Sequence, residues 1–324
     1  MKAIISVEPG PPNTLELTDI EAPTAGEGEV VITVEAAALN FFDTLIIEDK
    51  YQFKPERPFS PGAEVAGRVA SIGEGVADFS VGDAVMAYTG WSGCREQVVV
   101  KADMVVPLPA GFDMNVASGL TVTYGTTLHA LRDRADLQPG ETLAVLGASG
   151  GVGQAAVEIG KAMGARVIAC ASSDDKLEFC KSLGADEVLN YREENLKERL
   201  KELTGGKGAD VVYDPVGGDL AEQALRATGW KGRFLVIGFA AGDIPKIPLN
   251  LVLLKGCDVQ GVFWGSFIAR EPDRHQTNMQ ALVQWCEEGK VKPHVDQVFA
   301  LEDTVEALEV LANRAAKGKV VVKL

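Results

Sequence analysis

Along roughly the first third of the chain, apolar and polar positions alternate in short runs that glycine and proline interrupt, the pattern of β-strands and turns. Glu29-Val-Val-Ile-Thr-Val-Glu-Ala36 reads as a half-buried strand, and Pro61-Gly-Ala-Glu-Val-Ala-Gly-Arg-Val-Ala-Ser-Ile-Gly73 as a strand whose glycines allow close approach of neighbouring chains. Gly82-Asp-Ala-Val-Met-Ala87 reads as a turn into another strand. Residues 1 to about 118 therefore predict a compact, barrel-like β domain with little helix.

From Thr121 onward strands and helices alternate, which predicts a parallel sheet covered by helices on both faces. Expected are strand Leu143 to Leu146, helix Val152 to Met163, strand Arg166 to Ala171, helix Lys176 to Leu183 and strand Glu187 to Leu189. Helix Glu194 to Thr204, strand Asp210 to Tyr213, helix Leu220 to Ala227, strand Gly232 to Ile237 and strand Asp258 to Phe263 follow. That supplies about six strands, the number of a complete doubly wound nucleotide-binding sheet. Helices near Asn278 to Glu288 and Glu302 to Asn313 and a closing strand, Lys319 to Val322, return the chain to the β domain, which is then discontinuous in sequence.

The first of these βαβ units carries the candidate chemistry. Between its first strand and its helix stands Gly147-Ala-Ser-Gly-Gly-Val-Gly153, containing Ala148-x-Gly150-x-x-Gly153, a variant of the dinucleotide fingerprint. There the glycines permit a tight turn, close approach to a pyrophosphate and close helix–strand packing, and the helix N-terminus offers N–H groups to the phosphates. The same letters satisfy G-x-S-x-G, the nucleophile elbow of α/β-hydrolases, with Ser149 as nucleophile and His275 or His294 downstream. An elbow, however, has no use for Gly153. After the second strand, Ala171-Ser-Ser-Asp-Asp-Lys176 puts Ser172 where an NAD site would hold an acid, with Lys176 a turn further on, which favours NADPH over NADH. Ser-Ser-Asp-Asp is equally a good helix start, so both readings of these residues remain open.

Composition narrows the class. At 324 residues the chain is long enough for two cores, and its 46% hydrophobic content with 35 glycines suits a globular enzyme with many tight turns. A formal charge of −15 argues against nucleic acid or an anionic membrane as main partner. Five scattered cysteines, Cys94, Cys170, Cys180, Cys257 and Cys286, indicate neither a disulfide framework nor a zinc knuckle. The chain starts as a strand rather than a leader, and no apolar run is long enough to span a bilayer, so a soluble cytoplasmic protein is expected.

Taken as a set, Ala38-Leu-Asn-Phe-Phe-Asp43, Pro61-Gly-Ala-Glu-Val-Ala-Gly67, Gly119-Leu-Thr-Val-Thr-Tyr124, the glycine turn, Gly184-Ala-Asp-Glu-Val-Leu-Asn-Tyr191 and Tyr213-Asp-Pro-Val-Gly217 resemble the medium-chain dehydrogenase/reductase superfamily, and within it the zinc-free NADPH:quinone oxidoreductases related to zeta-crystallin. The later stretches Gly238-Phe-Ala-Ala-Gly242 and Val262-Phe-Trp-Gly265 are similar to its quinone-oxidoreductase-like branch. The resemblance implies an α/β protein with a GroES-like β-barrel catalytic domain, residues 1–118 and 266–324, and a Rossmann domain, residues 119–265. The zinc-dependent alcohol dehydrogenases have a cysteine where this chain has Asn40 and Gly-His-Glu where it has Gly62-Ala63-Glu64, so no catalytic metal is expected, and Glu64 is read as a buried acid or one facing the cleft.

By the same resemblance the nicotinamide lies in a cleft between the domains near Asn40 and Thr121, and the 2′-phosphate meets Ser172, Lys176 and Tyr191, with Arg314 in reach of the adenosine phosphate. Cofactor contacts are also implied at Ser149, Gly150, Gly151, Val152, Val216, Gly238, Phe239 and Phe263. Asn40, Tyr51 and Thr121 are the candidate catalytic residues. The family often has a tyrosine where this chain has Leu45, a departure that bears on the quinone pocket. The implied activity is hydride transfer from NADPH to a quinone or activated enone, a small-molecule substrate. Alternatives are reduction of an enoyl thioester, for which Lys50, Lys54 and Arg57 would form the basic entrance, and a non-catalytic, crystallin-like NADPH binder. A homodimer is expected through an edge strand within Lys255 to Phe263.

Overall fold

The computed structural model describes residues 1–324. Its first unit comprises Met1–Val122, Glu271–Val283 and Pro293–Leu324, and its second Thr123–Arg270 and Gln284–Lys292. In chain order the first unit opens with β1 (Lys2–Ile5), β2 (Glu16–Asp19) and the long β3 (Glu29–Leu39), then helix α1 (Phe41–Ile47). Strands β4 (Glu64–Ile72), β5 (Ala84–Tyr88), β6 (Gln97–Lys101) and β7 (Val105–Pro107) precede the short helix α2 (Met114–Ser118). The backbone then widens into π-helical turns over Leu120–Tyr124, runs through α3 (Gly125–Leu128), and widens again over His129–Arg134.

The second unit holds β8 (Thr142–Leu146), α4 (Gly151–Ala162), β9 (Arg166–Ala171), α5 (Asp174–Ser182), β10 (Glu187–Asn190), α6 (Leu196–Leu203) and β11 (Ala209–Asp214). After these come α7 (Gly218–Ala227), β12 (Thr228–Val236), α8 (Leu249–Lys255), β13 (Asp258–Gly261) and α9 (Trp264–Arg270). The last elements are α10 (Pro272–Glu287), β14 (Val295–Ala300), α11 (Thr304–Ala312) and β15 (Lys319–Lys323).

In the first unit β14-β15-β3-β4-β5-β7 form one sheet with β6 added on β3. Alternation along the strands buries Val30, Ile32, Val65, Val85 and Val98 in one cluster, and Leu39 and Val322 join Ile46 of α1 and the loop residue Phe59 in another. Gly67 shows why the sequence places glycine in β4: a Cβ there would stand 2.0 Å from the Thr33 carbonyl oxygen of β3. Two elements depart from expectation. α1 is a helix that was not assigned within the predicted β domain; Asp43 accepts the Asn40 N–H at 2.7 Å and caps its first turn. β14 was not anticipated; its burial shows no run of core positions, so it carries no hydrophobic period to read.

The six strands of the second unit run in the order β10-β9-β8-β11-β12-β13, all parallel, which is the doubly wound order 3-2-1-4-5-6. β8 lies at the point where the order reverses, so the turn after it opens at the topological switch point. The central strands β8 and β9 carry the apolar runs Leu143 to Leu146 and Val167 to Cys170, fully buried as strands covered on both faces must be, whereas the edge strand β13 is largely exposed. The strand starts at Asp258 as expected, and the wider edge segment Lys255 to Phe263 is narrowed: Leu249–Lys255 is helical and Gly256, at φ 53°, ends that helix before β13 begins. The strand ends at Gly261, and Phe263 lies beyond it. The second unit also takes 266–270 and 284–292 from the tail the sequence assigned to the barrel; the Lys292 N–H donates to Glu158 of α4 at 2.9 Å. No helix is long and apolar enough to cross a membrane.

Candidate active site

Within the second unit, three loops converge at the C-terminal edge of the sheet. The Gly147–Gly150 turn follows β8, Pro215–Gly217 follows β11 and the Gly238–Phe239 segment follows β12. Asp214 organises the second and third: its side chain accepts the Val216 and Gly217 N–H groups at 2.9 Å each, and its carbonyl accepts those of Ile237 and Gly238. Burial raises the Asp214 carboxyl above its ordinary range, against the pull of those two bonds. The Phe239 ring lies against Gly217, and Val216 lies against Gly147, so neighbouring side chains close around the turn.

The turn itself fits a pyrophosphate. A methyl group on Gly150 would meet nothing nearer than the Gly147 carbonyl oxygen at 3.5 Å, so the backbone there borders open space. Gly151 and Val152 begin the twelve-residue helix α4, whose first-turn N–H groups have no partners within the helix. Ser149 is only 6% exposed, the reverse of what a nucleophile elbow requires of its serine. At the end of β9, the register Asn190↔Ala171 and the Tyr191 N–H to Ala171 carbonyl bond at 3.1 Å set Tyr191 beside Ser172. The two carboxylates that follow are engaged locally: Asp174 accepts from Asn190 at 3.2 Å and Asp175 from the Ser173 hydroxyl. Lys176 lies half-buried in the first turn of α5. Phe263 is half exposed beyond β13. Arg314 belongs to the first unit, exposed and left-handed at φ 55° after α11.

In the first unit the structure joins Asn40 and Thr121 through Glu64 and Lys319. Glu64 Oε1 accepts from Asn40 Nδ2 at 2.9 Å and from Lys319 Nζ at 2.8 Å. Its Oε2 accepts from the Thr121 hydroxyl at 2.8 Å and the Val122 N–H at 2.7 Å, both presented by the π-helical turns. Lys319 also donates to the Leu39 carbonyl at 3.1 Å and to Asn40 Oδ1 at 2.7 Å, and its aliphatic stem lies along Gly119. Glu64 therefore takes the first of its two sequence readings, a buried acid, and Lys319, read from sequence only as the start of a strand, is its counter-ion.

Asp43 lies next to this cluster and accepts from Asn40 N and, at 3.2 Å, from Gly62 N. Burial away from water pushes its carboxyl up to about 7, opposed by the Asn40 N–H, the Lys319 ammonium and the Gly62 N–H. With a folded pKa above the unfolded value of 3.8, the carboxyl binds an extra proton in the folded state. Its contribution to stability is thus complete below that unfolded value and lost as pH rises through the folded one. The expected result is a fall in unfolding midpoint between about pH 5 and about pH 8 that is smaller in Asp43→Asn, read by thermal melts across that range.

Tyr51 stacks on Phe42 of α1, ring centroids 5.3 Å apart and planes 20° apart, and meets Phe53 at 6.0 Å. Burial, and secondarily Asp43, raise the Tyr51 phenol above its ordinary pKa. Leu45 is half-buried in the same helix. The supposed basic entrance does not assemble: Arg57 is committed to Asp49 at 2.8 Å and the Ile47 carbonyl at 2.9 Å, and Lys50 pairs with Glu48. Cys94 is fully buried, and His129 stacks on Phe267 and pairs with Asp133 at 3.0 Å, so both are taken up by packing. No three His, Cys, Asp or Glu side chains converge as a metal-binding group.

Comparison with known proteins agrees with this architecture. Residues 26–110 match the alcohol dehydrogenase GroES-like domain, and residues 151–288 the family described as zinc-binding dehydrogenase. A quinone oxidoreductase-like protein 2 homolog of Nematostella vectensis is 35% identical over 99% of this chain and 88% of its own length. The chain belongs to the medium-chain dehydrogenase/reductase family, in its zinc-free, quinone-oxidoreductase-like branch. Human quinone oxidoreductase is 31% identical over 100% of this chain and 98% of its own. The Escherichia coli quinone oxidoreductase solved in complex with NADPH superposes with a TM-score of 0.93 at 29% identity, covering 100% of both chains. Membership in this family also disposes of the hydrolase reading of Gly147–Gly151.

Proposed function

We propose that this protein is an NADPH-dependent reductase of quinones or activated enones. The observation that carries this reading is the glycine turn at the switch point of a parallel six-stranded sheet, followed at the end of the second strand by Ser172 rather than an acid. Gly150, Gly151 and Val152 bind the pyrophosphate through backbone N–H groups, Val216, Gly238 and Phe239 wall the site, and Ser172, Lys176 and Tyr191 take the 2′-phosphate, with Arg314 and Phe263 as further contacts. NADPH supplies the hydride. Asn40, Tyr51 and Thr121 form the polar lining on the barrel side. Of these, Asn40 and Tyr51 donate hydrogen bonds to the oxygen that gains charge during reduction, while the Thr121 hydroxyl proton is already given to Glu64. An electron-poor quinone or enone carbon accepts hydride without a Lewis acid on its oxygen.

NADPH consumption with phenanthrenequinone, an enone panel and crotonyl-CoA tests the reading. Turnover of a quinone or enone is expected. Reduction of crotonyl-CoA alone would transfer the protein to the thioester reductases, against the commitment of Arg57 and Lys50 to other partners. Tight NADPH binding without oxidation by any acceptor would favour the non-catalytic role.

The same reading includes a homodimer. β13 ends the sheet with an unpaired edge, and Trp230, Leu249, Leu253 and Leu254 of the same unit are each at least 70% exposed. An open edge with apolar side chains around it is the surface that pairing with a second copy covers. Light scattering is expected to give a dimer mass, and Leu253→Glu with Leu254→Glu to halve it.

A further inference from the structure

Counting donors and acceptors in the buried polar cluster of the first unit leads one step further. Lys319 has three N–H donors, and all three are used, on Leu39 O, Asn40 Oδ1 and Glu64 Oε1. Glu64 has about four acceptor sites, and four donors fill them: Asn40 Nδ2, Lys319 Nζ, Thr121 Oγ1 and Val122 N. The Thr121 hydroxyl has spent its one proton. Asn40 alone retains a donor, the second hydrogen on Nδ2. It is also the most exposed member, at 7% against 2% or less for Glu64, Thr121 and Lys319.

We infer that the Lys319–Glu64 ion pair is a positioning device that fixes the Asn40 amide with one N–H unspent, as the hydrogen-bond donor to an acceptor oxygen of the substrate. Turning the amide over would set its NH2 against the Lys319 ammonium and its oxygen against the Glu64 carboxylate, two repulsive contacts in a buried site where neither charge reaches water. The pair thus decides the polarity that Asn40 offers. It selects a carbonyl or developing hydroquinone oxygen and disfavours a ligand that presents a donor there. Lys319 and Glu64 are too buried to meet substrate themselves, so they act through Asn40. The inference rests on the reductase reading for the identity of the substrate oxygen, but the locked amide is a property of the protein alone.

The test uses Lys319→Met, the charge-free double variant Glu64→Gln with Lys319→Met, and Lys319→Arg. Because Lys319→Met leaves the carboxylate without its counter-ion, the double variant keeps the test readable if the single one fails to fold. With the quinone found for the wild type, kcat of the double variant is expected to fall about a hundredfold while its calorimetric Kd for NADPH stays within about threefold, and Lys319→Arg to keep kcat within about tenfold. Hydrogen exchange of the Asn40 side-chain amide, followed by NMR without substrate and assigned through Asn40→Ala, is expected to be slow in the wild type and faster in the double variant. A double variant with kcat within about threefold of wild type overturns the inference, as does a loss of kcat matched by equal losses of NADPH affinity and melting temperature. If the wild-type protein reduces no quinone or enone, the reductase reading fails by itself. The exchange measurement then decides the locked amide separately: unchanged exchange in the double variant refutes it.

Discussion

Replacing Gly153 by alanine is expected to destabilise the nucleotide-binding unit by about 3 kcal/mol or more and to weaken NADPH binding at least a hundredfold, because no rearrangement short of moving a helix can accept the methyl group. Its position lies 2.2 Å from the Gly147 carbonyl oxygen and 2.7 and 2.8 Å from Ala148 Cα and C, all backbone atoms of the turn that α4 must touch. No side chain is available to swing aside. Gly150→Ala is the control that separates packing from binding. There the nearest atom is 3.5 Å away and the backbone is an ordinary φ −80°, so the methyl fits the protein alone and fills the space a pyrophosphate would approach. Thermal melts should therefore show Gly153→Ala shifted and Gly150→Ala unshifted, while calorimetry shows both impaired for NADPH. Normal affinity in Gly150→Ala would remove the turn from the phosphate site.

The second large effect is one of stability. Lys319→Met is expected to cost about 3 to 5 kcal/mol, since the Glu64 carboxylate, 0% exposed, then loses its only cationic partner. Removing both charges in Glu64→Gln with Lys319→Met should cost markedly less, because no uncompensated charge remains. Urea denaturation of the two single variants and the double variant measures the difference as a coupling energy. Additive losses would mean that the two side chains do not depend on one another.

These residues also mark where sequence reading stopped. The nucleotide-binding unit was legible because its signals are local: a strand, a glycine turn and a helix within Thr142–Ala162, then a second strand whose predicted bounds, Arg166 to Ala171, are those observed. Asn40 and Thr121 were recognisable from motif likeness, but what unites them was not. Lys319 bonds to Asn40 across 279 positions and to Glu64 across 255, and nothing in Gly-Lys-Val-Val-Val marks a lysine that will be buried. The helix Phe41–Ile47 was hidden in a nearly continuous apolar run without a helical period, although Asn40 and Asp43, three residues apart, form its cap. The helix Leu249–Lys255 escaped for a related reason. Its leucines at 249, 253 and 254 face water in the single chain, so their spacing records no core.

The pairing of β15 with β3 bears on the order in which the molecule assembles. Val320 lies opposite Leu39 and Val322 opposite Ala37, so the ladder that completes the barrel sheet joins segments separated in the chain by the whole nucleotide-binding unit. Until that intervening polypeptide collapses, it is a long flexible loop whose closure opposes the pairing, and non-local ladders of this kind form slowly. Early folding of the parallel sheet shortens the effective loop, so damage at a glycine of the nucleotide turn should also retard closure of the barrel sheet, which belongs to the other unit.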